Sequence, residues 1–446
     1  MSSSVHVKRT SPARAQRMGD IREVHKKIVP LTSFQIGTVN GTNCSLDDTL
    51  PANKKNTMNH HHHHHHQQQQ HQQQQGNQER EEVFSSSSTQ YDGHAKETSL
   101  RTEAEAWDTN QIHVARPEDI PRIDVSDYLL LDDDDNDNDV KEKAIESIVE
   151  QLRYACTHVG FYYLTGHGIS DDQMKRIFAA VQEFYNLPMK SKEALRMDRP
   201  EFSIGGVGYL PLHHRKLPTR NRGNVNEAFV IKRQSGRTKI DLQDNQWPGE
   251  DVLPGFQEIV TSYVDTMERL ALRLLLLYAR TLGVDSHYFD PAFTSPMYRL
   301  RMTKYPPVST TTDNEANDQY GISPHVDTSF LTILAQDSEG LVIYSEQRRC
   351  WLRAPMVEGA FIVNSGELLR QWTNDTFISV KHFANNNDNN NNRDGSHNPP
   401  RYSIPFFFNA NADYRMHCIP TCCNDSNPPK YPPFSYEESQ AIAQGE

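Results

Sequence analysis

Residues 321–337 read GISPHVDTSFLTILAQD, and their reading decides the fold. Successive side chains of an extended strand point to opposite faces, so His325 and Asp327, two apart, project to the same side. The apolar run 330–335 follows at once and reads as a buried strand. Working outward, similar short runs recur at 298–305, 341–344, 361–363, 377–380 and 402–408. Gly340, Gly359, Gly366 and the pair Pro399-Pro400 punctuate them. Many short apolar runs separated by turn residues predict a β-sandwich or barrel over 296–415. The remaining 416–446 reads as a C-terminal tail.

Upstream the texture is mixed. Ile145, Ile148, Val149, Leu152, Ala155 and Cys156 fall at helical spacing within 141–158. A compact aromatic strand follows at 160–164, ended by Gly166-His167-Gly168. Ser170 and Asp171 can cap a second helix that stops near Pro188. A long helix is predicted over 255–282, with Gly283 where a C-terminal glycine belongs. The mixed region covers 118–235, and a helical support covers 236–295. His167, His158 and Trp372 read as structural residues.

The 446 residues carry a net charge of −12. Six acidic residues lie in 132–139, and without that tract the balance is −6. The acidity is therefore local, and no basic face for nucleic acid is advertised. Apolar residues make up 36%, below the roughly 45–50% of an ordinary domain. Much of the deficit sits in residues 1–117. Their centre is seven consecutive histidines at 60–66 merging into glutamines through 75. Such tracts bury too little apolar surface to offset chain entropy, so 1–117 reads as a disordered low-complexity tail. The tracts 132–139 and 385–392 read as surface loops between structural elements. No run of about 18 apolar residues exists, so a membrane-spanning helix is not expected. The first 20 residues lack the apolar core of a secretory signal. Cys44, Cys156, Cys350, Cys418, Cys422 and Cys423 lack paired metal-binding spacing and read as reduced thiols. The expected location is cytoplasmic.

One ligand pair does not make a metal site. A third candidate, His382, ends the run 377–381. Two histidines and a carboxylate on one face of a metal leave positions open for a co-substrate and O2, which suits non-haem Fe(II). Zinc would also accept this set. Arg401 and Ser403 are again two apart on a strand, and a guanidinium beside a hydroxyl forms a fork for a carboxylate. Tyr305 could add a further hydroxyl. A dicarboxylate could then chelate the metal at one end and rest on Arg401 at the other. A zinc hydrolase has no use for that fork.

The order of these pieces resembles a known family. Residues 321–337, 358–369, 372–375 and 401–407, with 120–124 and 155–169 upstream, are similar to the Fe(II)/2-oxoglutarate-dependent dioxygenases. The subgroup is the isopenicillin N synthase-like one, which includes plant flavonoid and gibberellin oxygenases. The resemblance spans about 118–412. It implies a mostly β protein with flanking helices, built on a double-stranded β-helix (jelly-roll) core. It implies that His325, Asp327 and His382 hold iron and that Arg401, Ser403 and Tyr305 hold 2-oxoglutarate. The implied cofactors are Fe(II), 2-oxoglutarate and O2, with ascorbate as reductant, acting on a small-molecule substrate in a monomer. The implied pocket segments contain Tyr209, His213, Phe229, Phe330 and Phe406. This chain departs from the family's pattern at Thr303 (usually Asn), Phe383 (usually Arg), the long interval from His382 to Arg401, and Asn224-Val225 (often Asp-Trp). An oxidase of the same fold that uses no 2-oxoglutarate, and a non-catalytic binding relative, are the competing expectations.

Overall fold

The strand Phe161–Thr165 shows how the molecule is layered. Its side chains alternate between two apolar clusters. Phe161 and Tyr163 join Val342, Ile343, Trp351, Ile362 and Phe383, whereas Tyr162 and Leu164 join Tyr278, Ile333 and Val363. A strand buried on both faces must lie between two layers, which is why its sequence is continuously apolar rather than alternating. In this computed structural model the described residues are 112–130, 138–197, 206–213, 224–234, 244–307, 320–385 and 399–444. The His/Gln tract and the rest of 1–111 lie outside them, as does most of both acidic and Asn tracts.

Thirteen strands are found among the described residues. They are β1 (His113–Val114), β2 (Arg122–Asp124), β3 (Phe161–Thr165), β4 (Gly208–Leu210), β5 (Glu227–Lys232), β6 (Met297–Tyr305), β7 (Tyr320–His325), β8 (Leu331–Gln336), β9 (Leu341–Ser345), β10 (Cys350–Arg353), β11 (Phe361–Ser365), β12 (His382–Asn385) and β13 (Arg401–Asn409). One sheet runs β2-β3-β11-β8-β13-β6-β5-β4, and the other runs β1-β10-β9-β12-β7. Chain-distant strands pair at β3-β11, β11-β8, β8-β13, β13-β6 and β12-β7, as the expected jelly-roll requires. The larger sheet carries the two clusters on its opposite faces: one shared with the smaller sheet, the other with the helices.

The main helices are α1 (Asn138–Tyr154), α2 (Asp171–Asn186), α3 (Phe256–Thr281), α4 (Glu367–Trp372) and α5 (Tyr436–Gln444). In α3, Phe256, Val260, Tyr263, Val264, Met267, Ala271, Leu274 and Tyr278 are buried at helical spacing. Each large side chain so buried stabilises the fold by roughly 1.5–3 kcal/mol before entropy is counted. Gly283 ends the segment with φ 71°, as its position predicts. Ser170 caps α2, its Oγ accepting from the Gln173 amide at 3.2 Å. The predicted helix over 141–158 ends early as an α-helix and continues as a π-turn, Ala155–Val159. Gly160 closes it at φ 77°, where a Cβ would lie 2.5 Å from Val380 Cγ2.

Four expectations need correction. The boundaries at 235 and 295 do not separate bodies, because β2–β5 share one sheet with β6, β8, β11 and β13. The boundary at 117 falls too late: β1 pairs with β10, and Ala115 and Ile120 are buried. Residues 416–444 are no loose tail, since Met416, Ile419, Cys422 and Tyr436 join the main core. Finally, 377–380 is not a strand. Phe377 plugs the helix-side core and Val380 the inter-sheet core, with β12 starting only at His382.

Candidate active site

Antiparallel pairing of β7 with β12 puts His382 directly opposite His325, with ring centroids 4.4 Å apart. The loop leaving β7 brings Asp327 between them. Asp327 Oδ1 lies 3.6 Å from Nε2 of His325 and 3.6 Å from Nε2 of His382. The three donor atoms sit within 4.8 Å of one another, the spacing of ligands around one ion. Each imidazole is aimed by its other nitrogen. His325 Nδ1 donates to the Ser323 carbonyl at 2.8 Å, and His382 Nδ1 to the Val380 carbonyl at 3.1 Å. That turns each Nε2 toward the metal position. Asp327 is aimed the same way: Oδ2 accepts from Thr332 Oγ1 at 2.7 Å and from Asn364 Nδ2 at 2.9 Å, leaving Oδ1 for the centre. Burial opposes ionisation of Asp327, yet the charge and hydrogen bonds of the two imidazoles hold its carboxyl well below the ordinary carboxylate range. The His325 side chain stays 38% exposed, so the centre opens on one side.

It opens into a cavity that also receives Arg401, Ser403 and Tyr305. β13 pairs with β6 so that Arg401 faces Tyr305 and Ser403 faces Thr303. The Arg401 guanidinium lies 4.6 Å from the Tyr305 ring centroid. Its Nε donates to the Ser338 carbonyl and its Nη2 to Gln336 Oε1, both at 3.1 Å. Its Nη1 has no hydrogen-bond partner, although Arg401 is only 4% exposed. A buried cationic donor without an acceptor costs the full desolvation of that group, so the position calls for an anion. Beside it, the Ser403 and Tyr305 hydroxyls stand 3.3 Å apart. The donor set fits one carboxylate.

None of the five proposed substrate contacts lies on the wall of this cavity. Phe406 faces the helix-side core and stacks on Tyr298 at 5.5 Å, because the cavity takes the alternate residues Arg401, Ser403, Pro405, Phe407 and Asn409 of β13. Phe229 packs against Phe184 at 4.5 Å, while its neighbour Val230 lines the cavity. Phe330 is held among Phe293, Phe289 and Trp372. Tyr209 is buried with its hydroxyl on Glu227 Oε2 at 2.6 Å. His213 is exposed, in a left-handed turn at φ 61°. The departures have local roles. Phe383 fills the inter-sheet core between Trp351 and Tyr320, and Asn224 Oδ1 accepts from the Ser323 amide at 3.0 Å just before His325.

Sequence reasoning missed Thr332, Asn364, Gln336, Tyr436 and Gln440, all within or beside the site. For two of them a signal existed. Thr332 and Asn364 are polar residues inside runs that otherwise read as buried strand, and a buried polar group is the informative kind.

Comparison with known proteins agrees with this geometry. Residues 120–250 match the family described as non-haem dioxygenase in morphine synthesis N-terminal, and 295–410 match the 2OG-Fe(II) oxygenase superfamily. The chain is 31% identical over 302 residues to the 2-oxoglutarate-Fe(II) type oxidoreductase hxnY of Emericella nidulans, covering 65% of this chain and 82% of that protein. It is 29% identical to azadirone synthase LFS of Melia azedarach, over 66% of this chain and 87% of that one. Among solved structures, a full-length Neurospora crassa protein in complex with alpha-KG superposes with a TM-score of 0.62 at 26% identity, covering 73% of this chain and 96% of that one.

Proposed function

Because the chain belongs to the 2OG-Fe(II) oxygenase superfamily and is a non-haem iron 2-oxoglutarate-dependent dioxygenase, we propose that it couples decarboxylation of 2-oxoglutarate to hydroxylation or desaturation of a small organic molecule. In this reading His325, Asp327 and His382 hold Fe(II), and Arg401, Ser403 and Tyr305 hold the distal carboxylate of 2-oxoglutarate. The single observation that carries it is the partnerless, buried Nη1 of Arg401 opening into the same cavity as the three metal-ligand candidates. An oxidase of the same fold that used no 2-oxoglutarate would have to answer that donor with its substrate's own carboxylate.

When bound, iron and 2-oxoglutarate would let O2 serve as the oxidant, 2-oxoglutarate giving up two electrons as it becomes succinate and CO2 and the organic substrate giving up the other two. The chain's own residues do the rest. The backbone carbonyls of Ser323 and Val380 keep both imidazoles aimed, with Nε2 toward the metal position. Thr332 and Asn364 keep Asp327 single-faced. Arg401, propped by Ser338 and Gln336, fixes the co-substrate's far end. The apolar wall, including Phe161, Leu334 and Leu341, excludes water. The cavity is about 260 Å³, near the small end of the roughly 300–1,000 Å³ typical of ligand pockets, which favours a small substrate.

The test is anaerobic addition of Fe(II) and 2-oxoglutarate, read as metal-to-ligand charge-transfer absorption. The absorption should form in the parent protein and be lost when His325, Asp327 or His382 is replaced by Ala. Arg401→Ala should weaken 2-oxoglutarate binding by about 10- to 100-fold, from a charge-assisted contact of roughly 1.5–3 kcal/mol. Iron should still bind. An Arg401→Ala protein with parent affinity for 2-oxoglutarate refutes the assignment.

A further inference from the structure

The cavity holds a second buried donor with nothing to donate to. Gln440, on α5, is 4% exposed, lines the cavity, and its Nε2 has no hydrogen-bond partner. An amide nitrogen in that state loses its water and gains nothing in return. Helix α5 is firmly fixed, so the placement is no accident of a loose end. Ser435 and Glu438 form a reciprocal capping box, the Ser435 amide donating to Glu438 Oε2 at 2.9 Å and the Glu438 amide to Ser435 Oγ at 3.2 Å. The Glu437 amide donates to the Ala412 carbonyl at 3.0 Å, just beyond the end of β13. Tyr436, one turn before Gln440, lines the same cavity.

That attachment places α5 near the end of β13 opposite to Arg401. There Phe407 is in register with Arg299 of β6. Arg299 and Arg301 share the cavity face, and Arg301 lies four residues, or about 13 Å of strand, from Tyr305. This end therefore addresses a ligand other than the co-substrate. Both arginines are engaged with protein acceptors, Arg299 Nη1 with the Gly206 carbonyl and Arg301 Nη2 with Asn226 Oδ1, each at 3.0 Å. Their cationic groups still set the sign of the wall. Asp327 is the one carboxylate among the described residues that line the cavity. Val230 and Phe407 supply apolar surface beside these groups.

We infer that Gln440 is a specificity-determining substrate contact, donating Nε2–H to the carboxylate of a small organic acid whose apolar body lies against Val230 and Phe407. The inference rests on the functional reading above, since it requires a second ligand beside 2-oxoglutarate.

The experiment starts from the anaerobic Fe(II)·2-oxoglutarate form of the full chain. A panel of alkyl and aryl monocarboxylic acids, and the methyl esters of the same acids, is titrated in while the charge-transfer absorption is followed. At least one acid should perturb the absorption, and its ester should not. Gln440→Met keeps the volume and removes the donor, and should raise that acid's half-saturation about tenfold. Gln440→Glu sets a carboxylate against the ligand and should raise it further. Both variants should still form the absorption before any acid is added, which also reports that they are folded. Equal response to acids and esters, no response to any acid, or parent-like affinity in Gln440→Met overturns the inference. Absence of the absorption in the parent protein instead overturns the functional reading, and the inference falls with it.

Discussion

Asp327 offers the centre one oxygen because Thr332 and Asn364 occupy the other. Those two residues stand directly opposite each other on β8 and β11, so a single register fixes both bonds. Losing either should let the carboxylate rotate. Asn364→Leu or Thr332→Val should weaken metal binding by about 10- to 100-fold, as measured by Fe(II) or Co(II) titration, with the fold retained. Unchanged affinity would mean that the strands alone hold Asp327. Gly340 tests the other end of the site. It sits at φ 149°, and a Cβ there would lie 2.9 Å from Arg401 Nε and 3.0 Å from its Cδ. Gly340→Ala should therefore displace the guanidinium and weaken 2-oxoglutarate binding while sparing the metal. Metal affinity falling equally would show that the damage is general. The ligand candidates were legible in sequence because residue types and the two-residue strand repeat state their chemistry. Their supports were not singled out, because one Thr or Asn in an apolar run marks a buried polar group without saying what it bonds until its cross-strand partner is known.

At the scale of elements, the two-residue repeat was informative wherever it was followed through. The rule that joins Arg401 to Ser403 also reaches Pro405, Phe407 and Asn409, and it sends Phe406 to the other face. Choosing Phe406 as a pocket residue broke that parity, and the structure restores it. The run 377–380 misled for a different reason: its apolar residues serve two cores from a loop, and composition alone does not distinguish that from a strand. Strand β5 carries a feature that periodicity does not reveal. Glu227 is buried with Lys192 Nζ at 2.8 Å, Tyr209 at 2.6 Å and Lys304 Nζ at 3.6 Å. Breaking such a group from one side strands a buried charge, so Lys192→Met should destabilise the protein by about 3 kcal/mol, read as a lower denaturation midpoint. Burial pushes the Glu227 carboxyl up, but the Lys192 and Tyr209 hydrogen bonds and the two ammonium charges outweigh it and leave the carboxyl below its ordinary value. A depressed folded-state pKa gives stability that is present above the unfolded value and lost as pH falls through the folded one. Glu227→Gln should therefore flatten the acid side of the stability profile. An unaltered acid limb would assign acid sensitivity to other carboxylates.

For the whole molecule, composition marks where low complexity begins and ends more sharply than it marks where the fold does. The His/Gln tract and the long helix are visible at once. The shared sheet is not, because pairing β3 with β11 joins residues about 200 apart in the chain, and no local pattern encodes that. The same holds at the termini. Residues 112–117 look like more of the upstream tail, yet β1 adds an edge to the smaller sheet, Ala115 donates to the Arg353 carbonyl at 2.9 Å, and Arg116 pairs with Asp119. At the other end, the Met416 and Phe434 backbones bond to each other at 2.8 and 3.1 Å and bring α5 back to the cavity. These contacts predict a sharp dependence on where the chain is cut. Removing 1–111 should leave the thermal midpoint and the Fe(II)·2-oxoglutarate absorption unchanged, since every described contact survives. Removing 1–117 should cost roughly 1–2 kcal/mol through the lost edge pairing and the exposed underside of β10. Removing 416–446 should cost more still, because it strips Met416, Ile419 and Tyr436 from the main core and unroofs the cavity. Equal midpoints for the first two truncations would show that β1 contributes nothing to the folded state, and a stable third truncation would show that the core closes without its last helix.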